Sequence, residues 1–359
     1  MVEKELSKQG ILNYHSAKIG RKIIRKITPQ MFKKKVEFDK EKVKSILFIQ
    51  NYGIGDYLMA TPTINAIAKD FPKAKKIVLC KEHNKDFAKI TPGIDKVVTT
   101  PREVGKVDLI VSLNDSAEAT LIAWKLKPKY AIGFLRGEKV STNFDIKHTK
   151  KAKNITDWQI GIANALKIEV KDKSYKIKIP VSNKVKKMIS KNKLTKFVVL
   201  NSNAREGAEA KNWGNENYAE LAEKFIVKGY QIVFCGAKDE KNSSETIKHI
   251  HNSKKVFDFT GKLNLLEVAY LFSKAKLFVG NDTGLMHIAI AAKCKTIGIF
   301  GPTDSKRIFP KVKFGKALQV KNKEWPCYKT GTFDIKPNQK YMDSIKPETV
   351  HNESKKLLR

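Results

Sequence analysis

Asn281, Asp282, Thr283 and Gly284 stand together where the apolar run "KLFVG" meets the helical pattern "LMHIAIAAK", and His287 follows one turn later. Asp282 or Thr283 can cap such a helix by accepting a bond from one of its unpaired N–H groups, and Gly284 removes the side chain where backbone would approach a bound group. Outward-pointing N–H groups and the positive end of the helix dipole form a seat for phosphate or pyrophosphate. His287 shares a helical face with Thr283, so it can add a hydrogen bond to the same ligand or sit as a satisfied core histidine. A second constellation, "ILFIQNYGIGDYLMATPTINAIAKDFP", places Gly53 and Gly55 in the loop after a strand pattern and Asp56 at the next helix start, with Pro62 inside the helix. An aspartate there is an N-cap or, if the loop borders a cleft, a general base.

Groups like these need a rigid frame. From Ser45 the chain alternates apolar strands with amphipathic helices, as in "ILFIQ", "KIVLC", "VDLIVSL" and "EATLIAWKL", and the pattern restarts at "KFVVLNSN" and runs to "TIGIFGPT". The alternation predicts an α/β protein with parallel sheets covered by helices. A length of 359 residues suits two domains, read here as residues 45–180 and 181–345, followed by a C-terminal helix over 346–359. Each half opens with a buried-looking strand whose polar or glycine-containing loop leads toward a helix. Open α/β sheets bind ligands at the carboxyl ends of their strands, so a cleft between the halves is the expected site.

Residues 1–44 stand apart as a basic extension. Within it, "SAKIGRKIIRKITP" sets Ile19, Ile23 and Ile27 at helical spacing among Lys18, Arg21, Lys22, Arg25 and Lys26, which predicts a short basic amphipathic helix ended by Pro29. No apolar stretch is long enough to cross a bilayer, and the N-terminus lacks the features of a secretory signal, so a cytoplasmic protein is expected. The formal charge of +35, from 71 Lys plus Arg against 36 Asp plus Glu, favours polyanionic partners. No recognition-helix, zinc-finger or aromatic RNA-binding signature accompanies it, so an anionic membrane is expected rather than a specific nucleic acid. Cys80, Cys235, Cys294 and Cys327 are scattered singly and suggest neither a disulfide framework nor a metal cluster.

"IGDYLMATPTINAIAKDFP" together with "VGNDTGLMHIAIAAKCKTIGIFGPTD" resembles the heptosyltransferase family of lipopolysaccharide core synthesis, glycosyltransferase family 9. "NSNAREGAEAKNWGNENYAELAEKF" is similar to that family's phosphate-contacting loop, with its lysine and tryptophan. The resemblance covers roughly residues 45–350. It implies a GT-B fold of two Rossmann-like domains facing a central cleft, the acceptor mainly on the first and the nucleotide-sugar on the second. It also implies inverting chemistry, with Asp56 as general base and Lys211 contacting the donor phosphates. The donor side would comprise Ser202 and Asn203, where relatives commonly carry threonines, Lys211, Asp282, Thr283, Gly284 and His287. Asp239, beside Lys238 and Glu240, would lie toward the ribose, and Gly53 and Gly55 would form the acceptor-side loop. No Asp-X-Asp occurs in the chain, so no metal and no cofactor is expected. The implied reaction moves heptose from an ADP-activated donor to a lipid-linked saccharide acceptor at the inner membrane. Two alternatives stand beside it. One is a same-fold transferase using another nucleotide sugar or a protein acceptor, and the other is a non-catalytic basic protein that binds membrane or nucleic acid.

Overall fold

The structure, a computed structural model, describes residues 36–114, 117–133, 141–142, 152–203, 208–237, 242–322, 325 and 339–359. The basic helix expected around Ile19–Ile27, Asp239 with its neighbours Lys238 and Glu240, and Cys327 lie outside the described residues. The chain divides into two units. One comprises the described residues up to Ala152 with Thr156–Lys173, and the other comprises Lys153–Ile155 with Ser174–Arg359.

In the first unit, the strands are β1 (Ser45–Gln50), β2 (Lys75–Cys80), β3 (Lys96–Val98), β4 (Leu109–Ser112), β5 (Tyr130–Gly133) and β6 (Ser141–Thr142). They form one sheet in the order β3-β2-β1-β4-β5-β6, in which only β6 pairs antiparallel. Ile46, Leu47, Phe48 and Ile49 are all fully buried. That continuous run, rather than an alternation, is what a parallel strand covered on both faces requires. The helices are α1 (Ile54–Asp70), α2 (Lys85–Lys89), α3 (Ala117–Leu126) and α4 (Ile155–Ala165). Pro62 lies inside α1 and cannot donate to the Leu58 carbonyl. The Thr61 hydroxyl donates to that same carbonyl at 2.7 Å, so the buried acceptor keeps a partner. From Val36 onward, the segment assigned by sequence to the basic extension packs on this unit. Phe38 meets the Tyr130 ring edge-on with centroids 5.0 Å apart, and the Asp39 N–H donates to the Tyr130 hydroxyl at 3.3 Å.

The second unit repeats the design with β7 (Phe197–Asn201), β8 (Gln231–Phe234), β9 (Val256–Asp258), β10 (Leu277–Asn281), β11 (Thr296–Phe300) and β12 (Gly315–Gln319). Their order is β12-β11-β10-β7-β8-β9, all parallel. Its helices are α5 (Asn183–Lys191), α6 (Asn215–Val227), α7 (Asn242–Lys248), α8 (Leu265–Phe272), α9 (Gly284–Ala291), α10 (Ser305–Ile308), α11 (Gln339–Met342) and α12 (Pro347–Leu358). Counted from its own first strand, each sheet has the order 3-2-1-4-5-6 of a doubly wound dinucleotide-binding fold, whose ligand crevice lies where strands 1 and 4 part. Trp213, fully buried, packs edge-on against Tyr218, and its indole N–H donates to the Ile345 carbonyl at 2.7 Å.

Lys193 and Lys293 adopt the left-handed conformation, at φ 49° and 58°, one residue beyond the C-caps of α5 and α9. A side chain there costs about 1–2 kcal/mol, while glycine adds about 0.5–1 kcal/mol of unfolded-chain entropy to be lost. Lys293→Gly is therefore expected to raise stability by about 0.5–1 kcal/mol, read from the urea midpoint at constant slope. A lowered midpoint would mean that the lysine side chain contributes more than the strain costs.

Candidate active site

In the first unit, β1 ends at Gln50 and the chain turns through Asn51–Gly53 into α1. Gly53 is the N-cap and Ile54 the first helical residue. Gly55 therefore lies inside the first turn, not in the loop, and Asp56 is the third helical residue, not the cap. Its carboxylate reaches back to accept the Gly53 N–H at 3.2 Å, while the Gln50 side-chain amide donates to the Asp56 carbonyl at 3.3 Å. These bonds hold a half-buried carboxylate at the carboxyl end of β1, next to β4, where the strand order reverses. A carboxylate so placed can take a proton from a bound hydroxyl.

In the second unit, the corresponding crevice lies between β7 and β10. Gly280 pairs with Asn201, so Ser202 and Asn203 leave one strand beside Asp282 and Thr283 leaving the other. A Cβ at Gly280 would stand 3.2 Å from the Asn201 Cβ and 2.7 Å from the Phe278 ring, so glycine is what permits this approach. Asp282 is buried, and its Oδ2 accepts from Lys211 Nζ at 2.8 Å and from the Thr303 hydroxyl at 2.8 Å. Burial works to raise the Asp282 carboxyl, but the Lys211 ammonium, His287 and the Thr303 hydroxyl outweigh it and hold the group below the usual carboxylate range. Lys211 comes from the short turn Glu209–Lys211 and also donates to the Asp282 carbonyl at 3.4 Å.

The expectation that Asp282 or Thr283 caps α9 is corrected. Thr283 occupies the N-cap position without a side-chain cap bond, and its hydroxyl donates instead to Asn201 Oδ1 at 3.5 Å. With Asp282 turned to Lys211 and Thr303, the first turn of α9 lacks a side-chain cap and can offer N–H groups to an anion. The Ser202 hydroxyl is buried without a hydrogen-bond partner. Asn203 donates to the Ser243 hydroxyl at 2.9 Å and receives, at its carbonyl, the Asn281 amide at 3.3 Å. His287 is buried, with Nδ1 3.0 Å from the Tyr175 hydroxyl.

Residues 99–334 match the model of glycosyltransferase family 9 (heptosyltransferase). The chain belongs to glycosyltransferase family 9. It is similar to lipooligosaccharide heptosyltransferase 2 of Campylobacter jejuni, 26% identical over 320 residues that cover 85% of this chain and 96% of that protein. Two solved structures share its fold. A family 9 glycosyltransferase from Veillonella parvula superposes with a TM-score of 0.71 at 20% identity, over 88% of this chain and 97% of that one. The ADP-heptose lipopolysaccharide heptosyltransferase II of E. coli gives 0.68 at 20% identity, over 88% and 98%.

This family 9 glycosyltransferase uses polar residues that sequence reading passed over. Thr303 in "GPTD" is the second partner of Asp282. It follows β11 as "NDTG" follows β10, and that parallel placement was the signal available. Tyr218, whose hydroxyl donates to Asn281 Oδ1 at 3.0 Å, and Tyr175, whose hydroxyl meets His287, were not singled out. Burial, with the nearby Asp282 charge opposing it, lowers the His287 imidazole to about 4. The folded protein thus binds fewer protons than the unfolded chain between pH 6.5 and 4, and the contribution of neutral His287, full above pH 6.5, is lost as pH falls through that window. From pH 6.5 to 5 the transferase is expected to lose about 2 kcal/mol through this group. His351, lowered by burial, acts in the same direction. Urea unfolding of the parent and of His287→Gln at both pH values isolates His287, and an equal loss in both would remove it from the acid sensitivity.

Proposed function

We propose that this enzyme transfers heptose from ADP-heptose to a lipopolysaccharide core or related lipid-linked acceptor with inversion. The observation that carries the reading is the Lys211–Asp282–Thr303 cluster beside the uncapped start of α9, at the carboxyl ends of β7 and β10. The named relatives support the donor and acceptor classes. In this reading Asp56 removes the proton from the acceptor hydroxyl as its oxygen attacks the anomeric carbon. The bond from that carbon to the diphosphate breaks, and ADP departs. Lys211 and the N–H groups at Thr283 and Gly284 neutralise the charge that grows on the departing phosphate, an arrangement set in place before reaction. Asp282 orients Lys211, Ser202, Asn203 and His287 line the donor side, and Asp239 meets the ribose. Gly53 and Gly55 keep the acceptor-side turn free of side chains.

Among the described residues no helix is long and apolar enough to cross a membrane. The proposed location is the cytoplasmic face of the inner membrane, reached through the basic residues of the N-terminal extension. A thermal-shift series with ADP, UDP, GDP and CMP at equal concentration tests the donor. A ligand that binds only the native state raises apparent stability by RT ln(1 + [L]/Kd), so ADP is expected to give the largest shift. A larger shift with another nucleotide would replace ADP-heptose as the donor.

A further inference from the structure

All six strands of the second sheet run the same way, so their amino ends share one pole, opposite the carboxyl ends that carry Asn201–Asn203 and Asn281–Gly284. The segments leading into that pole are rich in lysine. Lys274 and Lys276 precede β10, Lys293 and Lys295 precede β11, and Lys311 and Lys313 precede β12. All but the half-buried Lys295 are exposed. The segments before β7, β8 and β9 continue the pattern with "KLTK", "KGY" and "NSKK". None of the six contains an acidic residue, and the neighbouring Glu223 already accepts the N–H groups of His251 and Asn252. At the opposite pole the described loops set Glu209, Asp282 and Asp304 beside Lys211, Lys262 and Lys321.

Val227, which is 79% exposed, sits beside Lys228 and adds an apolar side chain to the same pole.

We propose that the amino pole of the second sheet is a docking surface for an anionic lipid membrane, separate from the N-terminal extension and independent of the donor chemistry. Six strands spaced about 4.8 Å apart give a face roughly 24 Å wide, broad enough to spread several lysines over a planar surface. Nucleic acid fits it less well. The leading segments hold no arginine, the residue that reads guanine edges with two bonds. Tyr230 and Tyr270 are covered by Lys196 and Lys274 at 4.1 and 5.2 Å from their ring centroids, so those faces are not open to stacked bases.

The test is co-sedimentation of the full chain with phosphatidylcholine vesicles containing phosphatidylglycerol. Changing Lys274, Lys276, Lys293 and Lys313 together to Gln is expected to weaken partitioning at least about tenfold, since each charge near an anionic leaflet is worth roughly a fivefold factor. Changing Lys184, Lys262, Lys306 and Lys321, which lie toward the carboxyl ends of the same sheet, is expected to have a markedly smaller effect. Circular dichroism and the ADP thermal shift should be unchanged in both variants, so a failed donor assignment would leave the membrane result readable. Unchanged partitioning of the first variant, or an equal loss in the second, overturns the proposal. So does a first variant that keeps its vesicle affinity while losing affinity for duplex DNA or RNA.

Discussion

Asp56→Asn is expected to lower the transfer rate by about 10²- to 10⁴-fold, the usual contribution of a general base, with ADP affinity within a factor of about two. The amide keeps the size of the side chain, and its oxygen can still accept the Gly53 N–H, so α1 should keep its start. What it loses is the ability to take up a proton. Single-turnover transfer at saturating donor, together with ADP titration, reads the two effects separately. Near-normal turnover would remove Asp56 from the chemistry and leave it a helix-start residue. A parallel loss of ADP binding would instead indicate that the substitution had disturbed the fold.

Removing Lys211 is expected to act twice, on stability and on the donor. In Lys211→Met, the buried Asp282 keeps the Thr303 hydroxyl but loses the ammonium at 2.8 Å. Breaking one side of a buried ion pair typically costs about 3–5 kcal/mol, because a charge is stranded. The double variant Lys211→Met/Asp282→Asn strands no charge and should recover most of that loss. It should not recover ADP affinity or turnover if the lysine also neutralises the departing diphosphate. Urea midpoints and ADP titrations of the two singles and the double make a complete cycle. Recovery of both properties in the double would assign Lys211 to stability alone, and full ADP affinity in the single would do the same.

Much of the frame was legible because its signals are local. The runs "ILFIQ" and "KFVVLN" had to be covered on both faces, and the turn residues after them marked the carboxyl ends where ligands bind. The details that sequence missed depend on distance along the chain. Lys211 and Asp282 are 71 positions apart and Thr303 lies 21 beyond Asp282, so no pattern within a helix or strand could pair them. Without that pairing, Asp282 looked like a helix cap, the ordinary role of an aspartate before a helix. Asp56 was misplaced for a smaller reason. Glycine can hold the cap position itself, and the acidic group then reaches back from the third residue, which moves the helix start by less than one turn.

The bond from the Trp213 indole to the Ile345 carbonyl bears on how the protein is made. Trp213, Phe225 and Ile299 share one buried cluster with Ile345 and Val350, so residues translated much later complete the core around a tryptophan translated 132 positions before Ile345. On the ribosome the first unit can close once its own strands and α4 have emerged. The second must hold a large apolar surface open until α12 is released. Nascent chains arrested before Ile345 should therefore be the species that holding chaperones capture and that proteases cut within the second unit, while the first unit already resists digestion.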